Sequence, residues 1–202
     1  MHFEKDFTYH VYNRSNETVF YNKANYIFFL QKIKKHISPF CDIISYCLMP
    51  NHFHFLIVAN KKSIEYTGES HRKNTQKLSK QLSIVLSSYT QAINKKENRK
   101  GALFAHKTTA KQLNFSQTKN NYQLSKNYLE TCFLYIHQNP YSAEIVEHIE
   151  DWEFSSFRDY ANNKKGNIIN IALAKELINL DWENFIKQSY INLNDNDLRN
   201  IW

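Results

Sequence analysis

Residues 42–59 read DIISYCLMPNHFHFLIVA, two runs rich in β-branched and aromatic side chains with a break at Met49-Pro50-Asn51. Such side chains fit a pleated surface, and proline cannot donate to a sheet ladder, so the pattern predicts an antiparallel hairpin of two central strands. Upstream, FTYHVYN at residues 7–13 alternates and reads as a strand, and NRSNE supplies turn chemistry after it. Over residues 24–36, Tyr26, Ile27, Leu30, Ile33 and, just beyond, Ile37 recur at helical spacing until Pro39 closes the helix. Downstream, residues 60–74 are polar, hold Gly68 and read as a flexible loop. Leu78, Leu82, Val85, Leu86, Tyr89 and Ile93 then form the stripe of a second helix. Residues 95–101 are a basic turn, ALFAHKTTAKQLNF at 102–115 reads as a fourth strand with broken alternation, and residues 117–123 are polar. A third helix is expected from about 124 to 138, ending before Pro140 because the residue ahead of a proline is pushed out of helical geometry.

Strand, helix, strand, strand, helix, strand, helix is the order of an α+β, ferredoxin-like (RRM-like) antiparallel sheet with helices on one face and one added helix. Beyond about residue 160, NNKKGN reads as a linker, followed by short helices at 171–178 and 182–190. The expected division is therefore a domain over 1–160 and a helical C-terminal extension over 161–202. No internal repeat is visible. With 202 residues, 42% hydrophobic and 15% aromatic, the chain supports one packed core. It has neither an apolar run of about 18 residues nor a basic-then-apolar start, so a soluble, cytoplasmic protein is expected. Cys41, Cys47 and Cys132 are odd in number and share no zinc-ligand spacing, which predicts buried free thiols.

The net charge of +7 is unevenly placed. Residues 61–111 hold 12 Lys and Arg against 3 Asp and Glu, a balance of +9, and the rest of the chain carries −2. That patch suits phosphate contacts, with a solvated basic loop as the alternative. Lys95, Lys96, Arg99, Lys100, Lys107 and Lys111 within it, and Arg14 ahead of it, are the candidate phosphate-contacting residues. In the strand HFHFLIVA, His52 and His54 project from one face and Phe53 and Phe55 from the other, so the imidazoles could grip one ion. In the third helix Leu129, Cys132, Phe133 and Ile136 form the apolar stripe, and Tyr128, Tyr135 and Asn139 fall together on its flank. Tyr135 and Asn139, at i and i+4, are surface neighbours.

LMPNHFHFLI resembles the HUH segment of single-tyrosine transposases, and YIHQNP resembles the segment that carries their nucleophile. The likeness is strongest to REP-associated tyrosine transposases and related bacterial single-strand transposases. YHVYNRSNETVFY, SSYTQAINKKENRKGALF and DWEFSSFRDY extend it, in order, over roughly residues 7–160. The resemblance implies that Tyr135 attacks DNA, that His52 and His54 bind a metal, and that Asn139 stands where many relatives have a glutamine completing the metal site. Lys107 stands where relatives often have arginine. By softness alone imidazole favours zinc, copper or nickel, whereas the resemblance implies Mg2+ or Mn2+. It also implies single-stranded DNA with a hairpin or stem-loop as partner, cleaved and rejoined through a 5′-phosphotyrosine, by a monomer or a homodimer. Tyr66, Tyr89, Phe104 and Phe115 are candidate stacking partners for bases. Two other readings stay open: a non-catalytic single-stranded nucleic-acid-binding module on the same sheet, and a metal-dependent hydrolase. No RNP-like string supports the first, and no obvious carboxylate base supports the second.

Overall fold

A computed structural model describes residues 1–68, 75–113, 119–162, 168–193 and 198, with backbone alone for 119–127. The elements run β1 (Thr8–Arg14), α1 (Lys23–His36), β2 (Cys41–Met49), β3 (His52–Ala59), α2 (Lys77–Lys96), β4 (Thr109–Gln112), α3 (Lys119–Ser142), a 3-10 turn, α4 (Phe157–Ala161), α5 (Ile171–Leu177) and α6 (Phe185–Gln188). The four strands form one antiparallel sheet in the order β2-β3-β1-β4. The expected α+β ferredoxin-like architecture is the one observed.

The hairpin forms where the proline stands. β2 and β3 pair from Cys41↔Ala59 to Met49↔His52, leaving Pro50 and Asn51 as a two-residue connection. Its carbonyls are occupied: Pro50 O accepts from Val19 N and Phe20 N at 2.7 and 3.1 Å, and Asn51 O accepts from Ser15 N at 2.8 Å. The loop after β1 thus clamps the end of the hairpin next to His52.

Alternation divides the sheet into two faces. Phe53 and Phe55 lie buried on the face toward α1 and α2, where Phe53 meets Phe29 with ring centroids 5.5 Å apart. The opposite face carries His52 and His54 and packs under α3, whose Leu129, Cys132, Phe133 and Ile136 are buried as the stripe predicts. All three cysteines are free and buried.

Four boundaries or stripes differ from expectation. α1 buries Tyr26, Phe29, Ile33 and, past its end, Ile37, whereas Ile27 is exposed, so the stripe centres on Phe29. β4 is four residues long because the stretch before it bonds to a side chain instead of a ladder. Asn13 Nδ2 donates to Ala105 O and Thr108 Oγ1, Asn13 Oδ1 accepts from Ala105 N, and Leu103 and Phe104 turn into the core. α3 begins at Lys119, ahead of the expected start at about 124 and within the polar stretch, and its other end passes through Pro140 to Ser142. A proline in the last turn forfeits one intrahelical bond, and the helix then closes with the paired bonds of a Schellman motif. Ile145 N donates to Pro140 O at 3.0 Å and Glu144 N to Tyr141 O at 2.9 Å, with Glu144 at φ 55°.

The segment after α3 caps the outer edge of β2. Leu48 N donates to Phe154 O, Ser156 N to Tyr46 O and Asn170 N to Ile43 O. Part of the expected linker, the end of the expected fourth strand and part of the 60–74 loop lie outside the described residues. Residues 168–193 pack back on α3. Gln138 Nε2 donates to Ser189 O and Ile191 O at 2.9 and 2.8 Å, and Phe133 meets Trp182 and Phe185.

Candidate active site beneath the third helix

Register assembles the site's floor. Antiparallel pairing sets Arg14 opposite His52 and Tyr12 opposite His54, and directly opposed residues share a face. Tyr12 and Arg14 of β1 therefore flank the two imidazoles of β3. The roof is α3: the Tyr135 ring meets the His54 ring edge-on with centroids 5.5 Å apart, and Asn139 Oδ1 lies 3.3 Å from His52 Nε2. An i, i+4 pair on a helix thus faces an i, i+2 pair on a strand, Tyr135 over His54 and Asn139 over His52. Asn139 Nδ2 donates to Tyr135 O at 3.3 Å, which turns its carbonyl oxygen toward His52.

Burial sets the electrostatics. His54 is 1% exposed, and that burial, followed by its neighbours His10, His52 and Arg14, holds its pKa well below the usual imidazole range. His52 is lowered chiefly by burial, opposed by Asn139 and assisted by Arg14. Both rings are therefore neutral near pH 7 and able to act as ligands. Burial also pushes the Tyr135 phenol up to about 12; a hydrogen bond between the phenol and the Asn139 side chain works against this, Cys132 and Cys47 reinforce it, and Arg14 opposes it. At pH 7 only about one molecule in 10^5 would hold such a phenol as phenolate. The tyrosine needs help to become a nucleophile.

The donor set fits a cation. His52 Nδ1 lies 2.7 Å from Asn51 Oδ1, an atom that only accepts, so this nitrogen carries the single proton of the neutral ring. The Nε2 lone pair then faces the Asn139 Oδ1 lone pairs across 3.3 Å. Two acceptors turned on one another repel unless positive charge stands with them. Among the described residues, no three His, Cys, Asp or Glu side chains gather to hold a metal, so any ion here relies on two imidazoles and an amide oxygen.

The other basic residues are more scattered. Arg14 is exposed at the end of β1 beside His52, and Lys111, paired in register with His10, shares the site's face of the sheet. Lys95 and Lys96 end α2, Lys100 follows them and Lys107 lies in the irregular stretch before β4, all four exposed. Arg99 is engaged: its guanidinium donates to Glu17 and Asn94, each at 2.7 Å. Of the stacking candidates, Tyr89 and Phe104 belong to the core, Tyr66 is exposed and Phe115 lies outside the described residues.

The sequence reading passed over two histidines. His10, fully buried, places Nε2 2.9 Å from His54 Nδ1. Alternation in FTYHVYN puts His10 on the face of Tyr12 and Arg14, but only the β1–β3 register shows that this is also the face of His54. His137, on the far side of α3 from Tyr135, bonds Ser156 Oγ at 2.8 Å.

No family model and no curated protein matches this sequence. Among solved structures, the chain is similar to a REP-associated tyrosine transposase bound to a REP hairpin, with a TM-score of 0.54 and 14% identity. The match covers 84% of this chain and 88% of that one. What the likeness shows is a shared α+β fold over most of both chains.

Proposed function

We propose that this chain is a single-tyrosine transposase of the HUH type, which cuts and rejoins single-stranded DNA at hairpin-flanked ends. The observation that carries the reading is the position of the Tyr135 ring over His54, on the face of the sheet that His52 shares. The fold-level likeness to a hairpin-bound transposase supports it.

His52 and His54, with Asn139, would hold a divalent ion, Mg2+ or Mn2+. When bound, the ion would draw charge from the scissile phosphate and favour in-line attack. The Tyr135 oxygen forms a bond to phosphorus as the bond to the 3′ oxygen breaks, and the phenolic proton passes overall to the departing oxygen, which leaves as a 3′ hydroxyl. The DNA 5′ phosphate stays on the tyrosine. A new 3′ hydroxyl reverses the step and releases Tyr135, so joining needs no outside energy source. Arg14, beside His52, favours the phenolate and would steady the phosphate. His52, His54, Asn139, Tyr135 and Arg14 all come from one chain, so the proposed site would need no partner subunit. Lys95, Lys96, Lys100, Lys107 and Lys111 would contact the backbone, with Arg99 joining only by exchanging Glu17 for phosphate. No described helix is long and apolar enough to cross a membrane; the proposed DNA substrate would place its work in the cytoplasm.

The test is an adduct assay with labelled hairpin-bearing single-stranded DNA and Mn2+, resolved on a denaturing gel. Wild type is expected to give a covalent protein–DNA band and Tyr135→Phe none. A band from both proteins removes Tyr135 from the chemistry; binding without a band from either turns the reading toward a non-catalytic module, and cleavage without adduct toward hydrolysis.

A further inference from the structure

We propose that His10 is a positioning residue that fixes the tautomer of His54 and so aims one nitrogen of that ring at the ion; this rests on the reading of His52 and His54 as metal ligands. His10 is paired in register with Leu56 on one side and Lys111 on the other, so its side chain reaches His54 along the diagonal. Its Nε2 lies 2.9 Å from His54 Nδ1, and the two rings are inclined by only 22° with centroids 5.1 Å apart. Both residues are buried, at 0% and 1% exposure.

One proton sits between these two nitrogens, and its owner decides what His54 can do. If His54 Nδ1 carries it and His10 Nε2 accepts, His54 presents the Nε2 lone pair, the form a ligand needs. If His10 carries it, a neutral His54 is protonated at Nε2 and cannot bind an ion there. In the proposed arrangement His54 Nδ1 donates to His10 Nε2, so that His10 does for His54 what Asn51 Oδ1 does for His52 through its own Nδ1. Both candidate ligands are then held at Nδ1 by a side-chain acceptor, leaving Nε2 as the ligating atom in each. The edge of Tyr135 meets His10 as well, with centroids 6.4 Å apart, so the ring that orients the ligand also borders the nucleophile.

The experiment uses the full chain. Long-range proton–nitrogen NMR on 15N-histidine-labelled protein in EDTA reads the His54 tautomer without metal, and calorimetric titration with Mn2+ reads affinity. His54 is expected to carry its proton on Nδ1 in wild type and in His10→Gln, whose amide oxygen can still accept. In His10→Phe the acceptor is gone; the Nε2–H form should become populated and Mn2+ affinity should fall by about 10- to 100-fold. A wild-type His54 protonated at Nε2 overturns the proposal, as does a loss of affinity that His10→Gln fails to rescue. Wild type that binds no Mn2+ sinks the metal reading and the His10 assignment together. Wild type that binds while His10→Phe binds equally well sinks the His10 assignment alone.

Discussion

Asn139 has one methylene less than the glutamine common among the transposases this sequence resembles, and its amide stays close to its own helix. Its Oδ1 stops 3.3 Å from His52 Nε2, while its Nδ2 is tied back to the Tyr135 carbonyl one turn earlier. A short amide at the end of a helix therefore faces two ways, toward the imidazole and toward its own backbone. If Asn139 supplies the third ligand, Asn139→Ala should lower Mn2+ affinity by roughly tenfold, on the scale of losing one supporting contact in a metal site. Calorimetric titration of variant and wild type checks this, with circular dichroism to show that α3 is intact. Equal affinity would mean that the two imidazoles hold the ion without Asn139. The pairing of Tyr135 with Asn139 was legible from helical spacing alone. That they stand over His54 and His52 respectively was not, because spacing gives a helix's own faces and says nothing of which strand lies beneath.

The element that has to be held still is α3, and its anchors lie on the side away from the site. His137 falls two residues after Tyr135, about 200° around the helix, and is fully buried. Ser156 Oγ accepts from Tyr46 N at 2.9 Å and faces Tyr46 O at 3.3 Å, so it ties β2 to the His137 ring. Ser156 and His137 thus bolt the helix to the sheet. The other ring nitrogen, Nδ1, is buried without a hydrogen-bond partner among the described residues, which favours the neutral ring protonated at Nε2. Burial lowers the His137 pKa to about 3 from an ordinary value near 6.5. The sign follows. A base whose folded-state pKa is depressed contributes stability that is present above about pH 6.5 and is lost as pH falls toward 3, on the order of a few kcal/mol at most. His137→Asn removes this titration, so the stability gap between wild type and variant should narrow as pH drops from 7 to 4. Urea midpoints in EDTA at three pH values measure it; a constant gap would show that His137 is not held neutral by its burial. This anchoring explains why the sequence underestimated the helix. Residues before a proline tend to leave helical geometry, but packing and a Schellman closure carry α3 one turn past that boundary.

At the scale of the molecule, the site depends on topology. The ferredoxin order sets β1 beside β3, which brings His10 and Arg14 to a pair of histidines some forty residues away in sequence. Strand order was legible from the alternation of elements; the register that joins His10 to His54 was not, since a slip of one residue would have turned every side chain to the other face. Charge is also distributed at this scale. Between Lys77 and Gln112 the chain has eight Lys and Arg and a single acidic residue, Glu97. Lys95, Lys96, Lys100 and Lys107 are exposed there, whereas Arg99 is committed to Glu17 and Lys111 lies on the site's face of the sheet. If the four exposed lysines track a DNA backbone, they should supply affinity without reading sequence. Replacing all four by Gln should then weaken binding to unrelated single strands alike. It should also flatten the dependence of log affinity on log salt by roughly 3 if each contact is lost, at about 0.7 per phosphate on a single strand. Mn2+ affinity should be unchanged, because none of the four is among the charges that act on His52 or His54. Fluorescence anisotropy over a salt series gives the slope. A variant whose slope equals that of wild type would place the backbone elsewhere and turn attention to Arg14 and Lys111 on the site's face of the sheet.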